Sequence, residues 1–356
     1  LILRHFLCAV LLFLAAVPAA RADDSVAAAL NKPAAISARA ADGLVTSIAR
    51  AGNRLVAVGE HGWILLSDDN GRSWRQAASP TSVTLTHVMF TNATTGWALG
   101  QMGAVLHTEN AGQTWAKQLD GVTANNITLA AAQADVKIKG TNDITTANLQ
   151  SAEALAGGGP SVPFLNLLAF SPTNLLLVGG FGLAMTSNDA GASWVSAADQ
   201  LNNPQGLHLY GLAEQNGTVF IAGEQGLLLK GPPGGPYNPV TTPFAGTFFG
   251  ILATQTDLYL YGLQGTLLRS TDAGATWQTL PTNTGAGIDA AIPLADGRIL
   301  FGDVAGDLLV RSGAGAITAL QAGEPVAALA QAADGAVIAG GPFGPRRIAL
   351  TALPTP

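Results

Sequence analysis

The chain of 356 residues has little that could do chemistry in the usual ways. It carries one cysteine, Cys8, so beyond the first few residues no disulfide, thiolate nucleophile or cysteine-ligated metal is possible. Only 11% of residues are charged, with 17 Lys and Arg against 23 Asp and Glu. Two of those arginines, Arg4 and Arg21, fall in the first 22 residues, so the remainder is more acidic still. An acidic chain with scattered arginines is a poor nucleic-acid binder, and no nucleic-acid partner is expected. There is no H-E-x-x-H, no G-x-S-x-G and no phosphate-binding loop. No metal, no cofactor and no catalytic residue is expected. Past the N-terminus no apolar run is long enough to span a bilayer.

What is there begins with an export signal. Arg4 and His5 precede the apolar run 6–17, and Ala20-Arg21-Ala22 is an A-x-A cleavage site. This reads as a secretory signal cut after Ala22, giving a periplasmic or secreted protein. Cys8 lies within it, and His5-Phe6-Leu7 is not the small-residue sequence of a lipoprotein signal. The whole chain is 48% hydrophobic and rich in glycine, ample for a large core.

Two repeated motifs organise that remainder. One is an eight-residue box: SDDNGRSW (67–74), TENAGQTW (108–115), SNDAGASW (187–194) and STDAGATW (270–277). The other is Gly-x-x-Gly between two apolar strands, in seven copies, of which the sixth has one extra residue between its glycines. Its second glycines stand at 62, 103, 182, 226, 265, 306 and 344. The spacing is 38–44 residues except for one gap of 79, which holds an insertion at about 120–160. One more apolar strand opens each unit, and a short outer strand follows the box. Four strands in a period of about 40 residues is a propeller blade. The expected fold is all-β, a seven-bladed propeller of four-stranded blades with one helical insertion between blades two and three. The seventh unit lacks an outer strand, and residues 33–40 are expected to supply it and close the ring.

Within the box, the Asp or Asn accepts hydrogen bonds from a tight turn and the Trp buries its ring. The structural set is Asp69 and Trp74, Asn110 and Trp115, Asp189 and Trp194, Asp272 and Trp277. Asn110 retains the acceptor without the charge, which argues against acid–base work. Blades four and six keep turn residues at 231–237 and 313–317 but neither the Asp nor the Trp.

The frame matches the Asp-box, or BNR repeat. Seven such units with V-G-x-x-G, an insertion and then PFLNLLAF resemble the photosystem II assembly/stability-factor-like propellers, over about residues 33–350. That resemblance implies a non-catalytic scaffold or assembly factor. Bacteria without a photosystem carry such proteins as exported factors, often encoded beside transporters. A membrane protein or transporter complex is therefore the implied partner, with the protein itself monomeric. Photosynthetic members present an arginine-rich patch. Here Arg39, Arg50, Arg54, Arg72, Arg75, Arg269, Arg298 and Arg311 are scattered, which argues against a photosystem client.

Strand order puts the Gly-x-x-Gly loops, the blade-to-blade connections and the insertion on one face, with the Asp-boxes on the other. Candidate partner-binding residues on the first face are Glu60, His61, Gln101, Phe181, Glu224, Gln264 and Asp303 from the loops. His87, Tyr210, Phe249 and Asp289 come from the starts of innermost strands, with Thr46 and Asn166 in equivalent places. Within the insertion, 124–140 is polar and Ala-rich, and 145–156 is expected to form a short helix over the propeller. A carbohydrate-binding or glycan-cleaving Asp-box propeller is the alternative. Aromatic and carboxylate clustering in the central funnel would favour it; a flat face flanked by the insertion favours the scaffold.

Overall fold

The computed structural model describes residues 28–313, 315, 317–321 and 323–353. The expected signal, residues 1–22, lies outside them. Seven antiparallel sheets follow one another along the chain, each built from consecutive strands. Six have four strands and the seventh has three. Blade one comprises Val45–Ala51, Arg54–Gly59, Ile64–Ser67 and Arg75–Ala77. Blade seven comprises Ala328–Gln331, Val337–Gly340 and Arg346–Ile348.

The core is a ring of seven layers, each shared by two neighbouring blades. Leu55, Ala57 and Leu65 of blade one pack on Ala328, Ala330 and Ile338 of blade seven. Val56, Ile64 and Leu66 pack on Leu85, Ala98 and Leu106 of blade two. Both faces of a blade are thus covered, and second strands such as Leu175–Gly179 are buried at every residue rather than at alternate ones. No blade could bury its two faces alone, so the ring is the unit of stability.

Closure differs from expectation. Residues 33–40 do not pair with blade seven. They run beside the outer strand of blade one, where Ala34 N–H donates to the Ser79 carbonyl (3.1 Å) and Ser37 N–H to Gln76 Oε1 (2.9 Å). The segment is drawn there by its own anchor: Leu30 is buried against Val83 and Ala104, and Ser82 N–H donates to the Ala29 carbonyl. The ring closes side by side. Val45 N–H donates to the Gly341 carbonyl at 2.9 Å, and Asp334 takes both Arg72 (3.0 Å) and Arg347 (2.5 Å).

The insertion also differs. It is an antiparallel pair of helices, α1 (Gly121–Lys139) and α2 (Asp143–Gly157). Asp120 caps α1 by accepting from Thr123 N–H, and Asn142 caps α2 in a reciprocal box with Thr145. The buried stripe of α1 is Gly121, Ala124, Asn125, Thr128 and Ala132, at helical spacing but small and polar. Asn125 donates to the carbonyls of Leu155 and Gly159, both at 2.9 Å, tying the two helices together.

Candidate functional site: the loop face and the channel mouth

The Asp-box turns behave as read, with one refinement. Asp272 Oδ1 accepts from Ala275 N–H (3.1 Å), Thr276 N–H (2.9 Å) and Ser270 Oγ (2.7 Å), and Oδ2 from Thr276 Oγ1 (2.6 Å). These donors hold its pKa down to about 2, the Thr276 hydroxyl foremost. Asp69 and Asp189 repeat the pattern. In the second box Asn110 Oδ1 accepts from Thr114 N–H, while its amide donates to Thr114 Oγ1. One hydrogen bond is reversed and the turn is kept. Each box fastens its blade to the preceding one: Trp115 packs in the layer with blade one, Trp194 with blade two and Trp277 with blade four. Trp74 and Trp277 are half-buried, less than the sequence suggested, while Trp115 and Trp194 are buried. In blade four, Tyr237 is fully buried in the layer with blade three and takes the place of the missing Trp.

On the opposite face the Gly-x-x-Gly loops share a backbone. In blades one to five the third residue is left-handed, as is the glycine after it: His61 and Gly62 have φ of 55° and 71°. The third side chain is exposed in blades one, three, four and five, while Met102 in blade two packs against the Leu30 cluster. A Cβ on the first glycine would run into a backbone carbonyl just before the innermost strand, that of Leu44 for Gly59 and Pro163 for Gly179. The motif is therefore structural, and its variable positions carry what the face displays. His61, Gln101, Phe181 and Gln264 are exposed, Phe181 at 57%. Phe343 in blade seven is 65% exposed.

Three acidic candidates resolve differently. Glu60 accepts from Leu44 N–H (2.9 Å) and Glu224 from His208 N–H (2.8 Å), so both brace the entry to an innermost strand. Asp303 is fully buried and accepts from Thr284 Oγ1 and from Ala305 and Asp307 N–H. It cannot meet a partner, because it is spent inside its own loop.

The innermost strands hold the feature that sequence reading missed. In blades one to six a β-bulge leaves one residue unpaired: Thr46, Thr86, Leu165, Tyr210, Phe249 and Asp289. All six line a central cavity of about 370 Å³, with His87, Asn166 and Tyr261. Bulges re-aim side chains in this way. The expected set from the strand starts is thus brought together, with Thr86 and Leu165 added. On one side of the ring these residues are structural. Thr46 donates to the Leu85 carbonyl (2.6 Å), Thr86 to Phe164 (2.6 Å) and Asn166 to Tyr210 (3.0 Å), each bridging to the next blade. On the other side Tyr210, Phe249 and Asp289 make no such bridge, and their side chains face the channel.

Rings continue outward from there. Phe249 meets Tyr210 edge-on at 6.0 Å between centroids, Tyr210 stacks on His208 at 6.2 Å, and His208 meets Phe181 at 4.5 Å. His208 Nδ1 is fixed 2.8 Å from Glu224 Oε2. One aromatic run thus links the exposed rim to the channel. Burial pushes the Asp289 pKa up to about 6, with Asp303 adding to the shift, and it pushes His87 down to about 4. His61, His87 and His208 do not converge; among the described residues no group of three His, Cys, Asp or Glu is placed to hold a metal.

The helical pair sits at the edge of this face rather than over the channel. α1 packs on the Gln101–Gly103 loop and on the outer strand Val195–Ser196. Between the helices and the connection from blade three to four runs a groove of about 480 Å³, reaching Phe181. Every described arginine has a carboxylate or carbonyl partner, as in Arg54–Asp68, Arg269–Asp257 and Arg298–Asp296. No free arginine patch forms on either face of the described residues.

These features define a seven-bladed Asp-box propeller with a displayed loop face. Residues 19–109 match the family described as photosynthesis system II assembly factor YCF48. Among solved structures the chain is similar to YCF48 bound to D1 peptide, with a TM-score of 0.62 and 14% identity, over 86% of this chain and 94% of that one. It is likewise similar to YCF48 from Cyanidioschyzon merolae, with a TM-score of 0.60 and 13% identity, over 88% and 97%. No curated protein matches the sequence. The resemblance carried by the repeats therefore agrees with the family model over residues 19–109, and the chain shares the fold of these propellers.

Proposed function

We propose that the protein is a non-catalytic scaffold or assembly factor whose Gly-x-x-Gly face binds a membrane-protein or transporter partner after export. The observation that carries this reading is the aromatic run from exposed Phe181 through His208 to Tyr210 on that face. Aromatic side chains are prominent among the few residues that carry most binding energy at interfaces. A similar propeller, YCF48, was solved bound to D1 peptide, which supports the use of this fold for binding a partner. The described arginines are paired and scattered, which argues against recognition through a basic patch. No described helix is long and apolar enough to cross a membrane.

Clustered rings and a carboxylate in the channel favour the carbohydrate alternative as far as binding goes. Glycan cleavage has less support. It needs two carboxylates about 5–9.5 Å apart with both free to act, whereas Asp303 is buried and saturated with donors. The test is capture of detergent-solubilised native membrane proteins on the immobilised mature protein. Phe181→Ser and Tyr210→Ala should each reduce recovery of the captured partner several-fold. Unchanged recovery with both would refute the assigned face.

A further inference from the structure

The channel mouth holds a carboxylate with nothing to pair with. The side chain of Asp289 has no hydrogen-bond or ion-pair partner among the described residues, and none of the residues that share its cavity is a lysine or arginine. Its charged neighbour is another carboxylate, Asp303, whose own donors come from blade six and the connection before it. Across the cavity His87 is held neutral by burial. The lining combines the aromatic Tyr210, Phe249 and Tyr261 with the small Ala290, Ala291, Ala327 and Ala328, which leave room beside Asp289. The volume is within the range of small-ligand pockets.

We propose that this cavity binds a primary ammonium group, seated on the Asp289 carboxylate with its aliphatic chain against the rings of Phe249 and Tyr261. A desolvated carboxylate without a counter-ion favours a cation, and aromatic faces beside it add attraction for one. A neutral sugar would leave the charge unmatched. The bulge is what makes the site. It removes Asp289 from the strand ladder and turns it inward, while the equivalent threonines of blades one and two are consumed in bridging. Binding also relieves the carboxylate. Asp303, Tyr261, Tyr210 and His87 offer it no positive charge, so a bound ammonium ion favours its ionised form. This site adjoins the loop face proposed to meet the partner and shares Tyr210 with it.

The ammonium could be carried by a free small amine or by a lysine side chain, and two probes separate these sources. The mature protein is titrated calorimetrically at pH 7.5 and low salt with 1,5-diaminopentane and with Nα-acetyl-lysine methylamide, and maltotriose serves as the neutral probe. Saturable binding of the diamine alone assigns a small-molecule ligand; binding of the lysine derivative as well admits a protein side chain. In either case Asp289→Asn, which keeps the shape, should lower the affinity about tenfold or more. Phe249→Leu should weaken it less. Affinity should rise between pH 5 and 7.5 as Asp289 ionises. Absence of amine binding, equal binding by Asp289→Asn, or tighter binding of maltotriose would overturn the assignment. The melting temperature of Asp289→Asn, measured alongside, confirms that the fold is intact.

Discussion

Asp272 and Asp289 are carboxylates of the same blade family, and their surroundings drive them in opposite directions. Asp272 sits in a cage of donors and titrates near 2, below its unfolded value. Its contribution is present above about pH 4 and lost as pH falls toward 2. Asp289 titrates near 6, above its unfolded value, so the folded state holds its proton more tightly. Stability then declines as pH rises from about 4 to about 6, by about 2–3 kcal/mol for a shift of this size. Asp289→Asn should therefore be more stable than wild type at pH 7 and indistinguishable from it at pH 4. Denaturant unfolding at the two pH values checks this, and equal stability at pH 7 would contradict it. Asp272 was legible in sequence because its donors are neighbours within the box. Asp289 was legible as the start of an innermost strand, but its unpaired state was not. It depends on a bulge, and an extra residue in a strand leaves no fixed composition behind it.

Among the elements, the box turns were legible because one local frame recurs four times. Their depth was not, because each Trp packs on the preceding blade. Trp194→Ala removes a buried ring and should cost about 3–5 kcal/mol. Trp277→Ala should cost clearly less, since Trp277 stays half-exposed. Thermal unfolding of the pair gives the order, and the reverse order would count against the packing described. The first helix of the insertion escaped sequence reading for a physical reason. Its buried stripe is Ala, Asn and Thr, so no apolar periodicity announces it, and only Asp120 and Gly140 mark its ends. Asn125→Ala deletes the bonds to Leu155 in the second helix and to Gly159 just after it, and should loosen the pair by about 1–3 kcal/mol. Hydrogen exchange should quicken within residues 121–157 while the blades keep their protection.

Blade number and order for the whole molecule followed from the spacing of the second glycines, since each motif fixes one strand connection. Ring closure did not follow, because it depends on where the N-terminal segment finds its apolar contacts. Leu30 finds them between blades one and two, and the blade seven edge is held instead by Ile338, Asp334 and Arg347. Deleting residues 28–37 should therefore lower the melting temperature while leaving a closed, monomeric ring. Size-exclusion chromatography with small-angle scattering checks this, and aggregation would restore the strand-exchange closure. Ile338→Ala should do more harm, about 2–5 kcal/mol, because it opens the layer that joins the last blade to the first.

The central claim is that the loop face, not the Asp-box rim, is the working surface. It is tested most directly by quantifying partner capture from native membranes with one variant on each face. Phe181→Ser lies on the loop face, and Gln113→Arg lies on an exposed box turn, where only the backbone of Gln113 is used. Capture should fall several-fold with Phe181→Ser and stay at the wild-type level with Gln113→Arg, both proteins melting as wild type. Loss with Gln113→Arg and full retention with Phe181→Ser would contradict the account.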